Sequence, residues 1–203
     1  SASLNQTVDN ISEWWNYDGS ITLSMPAPVQ LLENTANKVE GVRYVETWMD
    51  GRTVIERADG TTNEEYFTLG FPANSRIIDF HYQEGGYFLE GEPSVIITSE
   101  LQQDEPDLKL GSMVTIMVNG RTIERKIAGI ATSSLMGPYM YYEAKDLADL
   151  MGVAGSATRV VVKGEPGLDG FGQADLTKRL ERTFEKRGLS TATTTTNQQQ
   201  LET

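Results

Sequence analysis

The spacing of apolar side chains changes period repeatedly along the chain, and each change marks an element. Leu4, Val8, Ile11 and Trp15 recur at steps of four, three and four, which is one stripe of an amphipathic helix. The cluster Asn16-Tyr17-Asp18-Gly19-Ser20 predicts a turn after it, with Gly19 as a left-handed cap. Ile21, Leu23 and Met25 alternate with Thr22 and Ser24, so one side chain in two faces a core, and Pro26-Ala27-Pro28 ends that strand. Pro28 is placed as the first residue of a helix carrying Leu31, Leu32, Ala36 and Val39, because a first-turn proline forfeits no hydrogen bond. Gly41 closes that helix, and residues 42–49 read as the next strand.

The middle of the chain is rich in strand signals. Asp50-Gly51, Asp59-Gly60 and Asn119-Gly120 each fit a tight hairpin turn. Val95-Ile96-Ile97 predicts a buried strand over 94–98, with one helical turn over 99–102. Residues 113–118 and 122–130 form the Asn119-Gly120 hairpin, and a strand over 139–142 precedes a helix over 143–151. Further on, Val160-Val161-Val162 marks a strand over 158–163, and Leu176, Leu180 and Phe184 at steps of four mark a helix capped by Gly188. Residues 189–196 are rich in β-branched side chains and close the pattern as a strand. Residues 21–49 and 158–196 are thus matching βαβ units. The expected fold class is α+β: a discontinuous α/β subdomain made of residues 1–68 and 157–203, with a mainly β subdomain, residues 69–156, inserted between its halves and joined to it by two passages of the chain.

Composition then narrows the chemistry. The 203 residues contain no cysteine, which excludes a thiolate nucleophile, an iron–sulfur cluster and a cysteine-ligated zinc. Lys and Arg number 17 against 29 Asp and Glu, a formal net charge of -12 that repels a phosphate backbone, so no nucleic-acid partner is expected. The single histidine, His81, has no serine motif or metal-ligand spacing near it and reads as a partly buried polar ring beside Phe80 and Tyr82. Asp104, Glu105 and Asp107 are the densest carboxylates, yet they lack the spacing of a calcium loop and read as a solvated acidic loop. Gly164, Gly167, Gly170 and Gly172 punctuate a segment without a phosphate-binding motif, a connector rather than a cradle. Trp14 and Trp15 lie about 100° apart on a helix, so one of them is expected outside the core stripe, on a contact surface or in a seam. The aromatic stretch 133–142 reads as core. No catalytic, cofactor-binding or metal-ligating residue is assigned, and no cofactor is expected. Residues 127–142 are uncharged but broken by Thr132, Ser133, Ser134, Gly137 and Pro138, short of the ~20 mostly apolar residues that span a bilayer, and no signal-peptide pattern opens the chain.

Several segments recur in a recognisable order. Ile78-Asp79-Phe80 leads to Glu84-Gly85-Gly86-Tyr87-Phe88-Leu89, then to Ser94-Val95-Ile96-Ile97-Thr98-Ser99-Glu100-Leu101. Leu108-Lys109-Leu110-Gly111-Ser112-Met113-Val114-Thr115-Ile116 and Ile127-Ala128-Gly129-Ile130 follow. With the element order above, the chain resembles, over nearly its whole length, the extracytoplasmic domain of MacB-like and FtsX-like ABC-transporter permeases, the MacB periplasmic core domain. Members commonly carry Gly-Arg where this chain has Gly85-Gly86, so no role of that arginine is carried over.

The resemblance implies an extracytoplasmic domain looped out between the first two transmembrane helices of a permease, with a porter-like α/β subdomain and no catalytic residues. Residues 4–15 would then continue one membrane helix and residues 193–203 would lead into the next. Its implied partners are the transmembrane helices of the same full-length chain, a cognate cytoplasmic ATPase, a second permease protomer and, optionally, an extracytoplasmic accessory protein or lipoprotein. The implied function is to couple cytoplasmic ATP hydrolysis to movement of, or contact with, an extracytoplasmic substrate. Two other readings stay open: a secreted ligand-binding protein, and a hydrolase using Asp104, Glu105 or Asp107.

Overall fold

The structure is a computed structural model that describes residues 14–62, 64–132 and 137–196. The helix expected over residues 4–15 falls almost wholly outside them, as does the stretch 133–136. The chain divides into two compact units, one holding the residues up to Trp48, Asn74–Asp79 and those from Gly155 on, the other Met49–Ala73 and Phe80–Ala154. Among the described residues the chain therefore passes between units four times rather than twice, and residues 49–68, expected in the first subdomain, pack in the second.

The first unit contains β1 (Gly19–Pro28), α1 (Val29–Asn37), the first half of β2 (Tyr44–Glu56), β9 (Ser156–Lys163), α4 (Gly170–Lys186) and β10 (Thr191–Thr196). β1 lies between β10 and β9, antiparallel to both, and β9 lies between β1 and β2, again antiparallel to both. β1 is therefore parallel to β2, and β9 to β10. The two βαβ units share one sheet, and each splits the strand pair of the other, the ferredoxin-like arrangement. Ile21, Leu32, Ala36, Val162, Leu180 and Phe184 join strands and helices in one core. α4 starts where the carboxylate of Asp169 accepts from the Gly172 N–H at 2.8 Å, a side-chain N-cap.

Two local expectations fail here for identifiable reasons. β1 does not stop at the prolines; its register breaks between Thr22 and Ala27, so the stretch holding Pro26 is not asked for ladder donors, and Pro28 becomes the N-cap of α1. Gly19 is the first residue of β1 rather than a cap, and its lack of a side chain serves packing, since a Cβ there would lie 2.4 Å from Thr177 Oγ1 of α4.

The second unit contains the rest of β2, then β3 (Tyr66–Phe71), β4 (Tyr82–Gly85), β5 (Ser94–Thr98), α2 (Ser99–Asp104), β6 (Met113–Val118), β7 (Arg121–Ala131), β8 (Tyr139–Glu143) and α3 (Ala144–Leu150). Its strands pair in the order β2-β3-β8-β5-β7-β6, and β6 returns to β2, so the ladder closes into a ring with β4 added on β7. A closed ladder leaves few strand edges exposed and lets alternate side chains fill its interior. Ile55, Val95, Ile97, Ile116, Ile127 and Met140 supply that filling, with Leu147 and Leu150 of α3 packed on it.

The Asn119-Gly120 turn is present, with φ 50 and 76, as the hairpin requires. Asp50-Gly51 is not a turn, because β2 runs straight through it for 13 residues. Along that length β2 changes partner from β9 to β3 and then to β6, so no reversal is needed to satisfy its backbone. Gly85 has φ 70, and a Cβ there would sit 2.2 Å from the Ala128 carbonyl, whereas a Cβ on Gly86 meets nothing within 4 Å. Position 86 is thus sterically open to a side chain.

The segment Asn74–Asp79 returns to the first unit, where backbone hydrogen bonds with Trp14 and Asn16 and one buried carboxylate hold it. Glu46, on β2 and only 3% exposed, accepts from Tyr44 Oη at 2.7 Å, Trp48 Nε1 at 3.1 Å, Ser75 Oγ at 2.7 Å and the Arg76 N–H at 2.7 Å. Ser75 Oγ in turn accepts from the N–H groups of Ile77 at 3.1 Å and Ile78 at 3.0 Å. Trp15 forms a bridge to Ile78 and packs edge-on against Trp48 with centroids 5.7 Å apart. Trp14 and Trp15 are both buried, each 3% exposed, so of the two expectations for the one outside the core stripe, exposure on a contact surface is not met. Trp14 is the last helical residue and Trp15 leaves the helical path at its bridge to Ile78, so the two rings are not bound to one helical stripe.

Glu46→Gln keeps the shape but turns an amide donor toward the chain's own donors. It is expected to destabilise the fold by about 2–4 kcal/mol, read as a lower urea midpoint at unchanged slope.

Candidate functional site

The register of the first sheet assembles a basic cleft. Pairing of β2 with β9 sets Tyr44 opposite Lys163, and the Arg43 N–H donates to the Lys163 carbonyl at 2.8 Å. Arg76, placed by the contacts of Glu46, adds a third cation. Arg43, Tyr44, Arg76, Lys163, Gly164 and Pro166 line a cavity of about 450 Å³. The Arg76 guanidinium lies 4.7 Å over the Tyr44 ring, a cation–π contact. Lys163 Nζ donates to the Asn16 carbonyl at 3.1 Å, and Arg43 pairs with Glu165. The loop behind the cleft is tied down through Asp18, which accepts from the Gly164 N–H at 2.7 Å and from Gln173 Nε2 at 3.1 Å. Burial, then the hydrogen bond it donates to Glu46, pushes the Tyr44 hydroxyl from its ordinary 10.0 up to about 12. Tyr44 is therefore a neutral floor to the cleft. None of the three cations was singled out in the sequence, because residues 43, 76 and 163 meet only through long-range register.

The second unit shows what becomes of the acidic run. Asp104 and Asp107 are exposed, but Glu105 is only 4% exposed, and Arg57 Nε lies 3.1 Å and 2.9 Å from its two oxygens. The run is therefore not a uniformly solvated loop: the helical end at Asp104 turns Glu105 inward onto a guanidinium. Asp104 instead borders an open cleft of about 760 Å³ with Glu64, Glu65, Phe67 and Tyr139. Phe67, 56% exposed, stacks with Tyr139 at 6.4 Å and carries Arg52 5.0 Å from its ring centre.

Among the described residues no three acidic or histidine side chains gather closely enough to hold a metal. His81 is exposed rather than partly buried. Tyr141 and Tyr142 are core, as expected of that stretch, and burial pushes both hydroxyls upward. Tyr142 donates to Thr53 Oγ1 at 3.1 Å across the ring interior. The glycine-rich segment 164–172 forms the back of the basic cleft and then the cap of α4.

No protein-family model and no curated protein sequence matches the chain. Solved structures do. The extracellular domain of the noncanonic ABC-type transporter YknZ from Gram-positive bacteria matches with a TM-score of 0.60 at 14% identity, over 88% of this chain and 97% of that one. The periplasmic region of MacB from Actinobacillus actinomycetemcomitans matches with a TM-score of 0.61 at 13% identity, over 95% of this chain and 94% of that one. The fold is that of these extracytoplasmic transporter domains, the same fold the sequence resemblance implies.

Two outcomes follow from the site geometry. Because the folded chain favours the protonated Tyr44, its contribution to stability is complete below pH 10.0 and disappears as the pH rises towards about 12. A tyrosinate absorbance titration, with Tyr44→Phe to assign the step, is expected to show a late transition that moves down in Glu46→Gln. Arg57→Ala strands a buried carboxylate, so it should lower Tm more than Arg57→Ala combined with Glu105→Gln does in the double variant.

Proposed function

We propose that this chain is a non-catalytic extracytoplasmic module of an ABC-transporter permease, which transmits motion driven by cytoplasmic ATP hydrolysis to a substrate or partner outside. The observation that carries the reading is the fold match to two extracytoplasmic transporter domains, each aligned over more than four-fifths of both chains. The buried carboxylates point the same way. Glu46 and Glu105 are each committed to donors of the chain itself, which suits rigid bodies better than acid–base chemistry. No helix among the described residues is long and apolar enough to cross a membrane. On this reading the transmembrane helices of the full-length chain supply membrane attachment and a cognate cytoplasmic ATPase supplies ATP hydrolysis. The unit built on the split βαβ sheet is the porter-like part of this module. A second permease protomer is the expected partner for rigid-body displacement, with an accessory protein or lipoprotein as a further contact outside.

The absence of cysteine from the chain offers a direct test. Phe171, 88% exposed at the start of α4, is replaced by cysteine in the full-length protein and treated in intact cells with a membrane-impermeant maleimide. Labelling without lysis that depends on Phe171→Cys and is absent from the parent protein is the expected result. Labelling only after lysis overturns the extracytoplasmic placement.

A further inference from the structure

We propose that the cleft formed by the start of β2, the Ser75–Arg76 turn and the end of β9 binds a phosphate-type dianion, carried either by a soluble phosphomonoester or by a phospholipid headgroup that ends in a phosphomonoester.

The first argument is charge placement. The whole chain carries -12, yet Arg43, Arg76 and Lys163 face one cavity of about 450 Å³. Like charges gathered this way repel one another unless an anion sits among them. Among the described residues one carboxylate pairs with them: Glu165, on the loop that follows β9, pairs with Arg43 while both side chains stay more than half exposed. The other nearby carboxylates are already engaged, Glu46 by Tyr44, Trp48, Ser75 and Arg76 N–H, and Asp18 by Gly164 and Gln173.

The second argument is unspent donor capacity. Arg76 lays the face of its guanidinium on Tyr44 and has no carboxylate partner among the described residues, so its N–H edges are available. Lys163 spends one of its three donors on the Asn16 carbonyl. A monocarboxylate such as Glu165 balances one charge of the three. A dianion balances the two that Arg76 and Lys163 leave open and, by displacing Glu165 from an exposed and hence weak pair, reaches Arg43 as well. Guanidinium groups suit planar, multidentate recognition of phosphate oxygens, and the Tyr44 ring closes the floor without adding charge. Glu165 thus acts as a built-in competitor.

The test uses the 203-residue chain in backbone-amide NMR titrations at constant ionic strength, with inorganic phosphate and glycerol 3-phosphate as soluble probes. Saturable shifts confined to the amides around Arg43, Arg76 and Gly164 are expected, with half-saturation at or below about 10 mM. Glu165→Gln should tighten binding about threefold, and Arg76→Gln with Lys163→Gln should weaken it at least about tenfold. Unshifted amides elsewhere show that the variants fold. A second arm measures co-sedimentation with vesicles containing phosphatidic acid, whose headgroup is a phosphomonoester, against phosphatidylcholine alone.

Binding to the soluble probes identifies a phosphomonoester site. Binding to the anionic vesicles alone, abolished by the Arg76/Lys163 double variant, identifies a headgroup site. No saturable binding in either arm, or binding that survives the double variant, overturns the proposal. Neither arm depends on the transporter reading, which the maleimide experiment tests separately.

Discussion

A carboxylate taken out of water must be met by donors, and in this protein that demand organises the chain path. Glu46 faces inward from β2 and is satisfied by two neighbours on its own strand and two groups on the segment Asn74–Asp79. Leaving any of those donors unmade would cost far more than a surface contact of the same kind. The segment is therefore drawn out of the second unit and back to the first before the chain leaves again at Phe80. Once there, it gives Trp15 its bridge partner Ile78 and sets Arg76 over Tyr44. The basic cleft follows from where one buried carboxylate finds its hydrogen-bond donors.

The two units arrange their strands differently. In the first, two βαβ units interleave, so that β1 and β9 are internal strands covered by α1 and α4. In the second, the ladder returns on itself and the side chains pointing inward fill it. Both devices work only if short strands keep their register, which explains the close approaches at Gly19 and Gly85, where a methyl group would collide with a neighbour.

Much of this was legible in the residues, and the failures share a cause. Periodicity located α4, β5, β8 and the Asn119-Gly120 hairpin, because each is specified by its own few residues: a four-step apolar stripe, an all-apolar run, a two-residue turn. It misplaced Asp50-Gly51 and Pro26-Ala27-Pro28, where local turn chemistry was overridden by strand partners far away in sequence. The burial of Trp14, the pairing of Glu105 with Arg57 and the gathering of Arg43, Arg76 and Lys163 were invisible for the same reason. Exposed charges carry no periodic signal, and a buried one can be recognised only when its partner is known. The family resemblance was legible through the order of segments, a level at which individual weak motifs reinforce one another.

The continuity of β2 across both sheets has an evolutionary corollary. Because side chains alternate with a period of two, inserting a single residue near Asp50 would invert every following side chain of β2, turning Ile55 out of its core while the half before the insertion kept its facing. Loops such as Asp59-Gly60 can absorb length changes freely, but this strand cannot. Homologous chains should therefore drift in loop length yet conserve the number of residues between Glu46 and Ile55, a ruler shared by two cores.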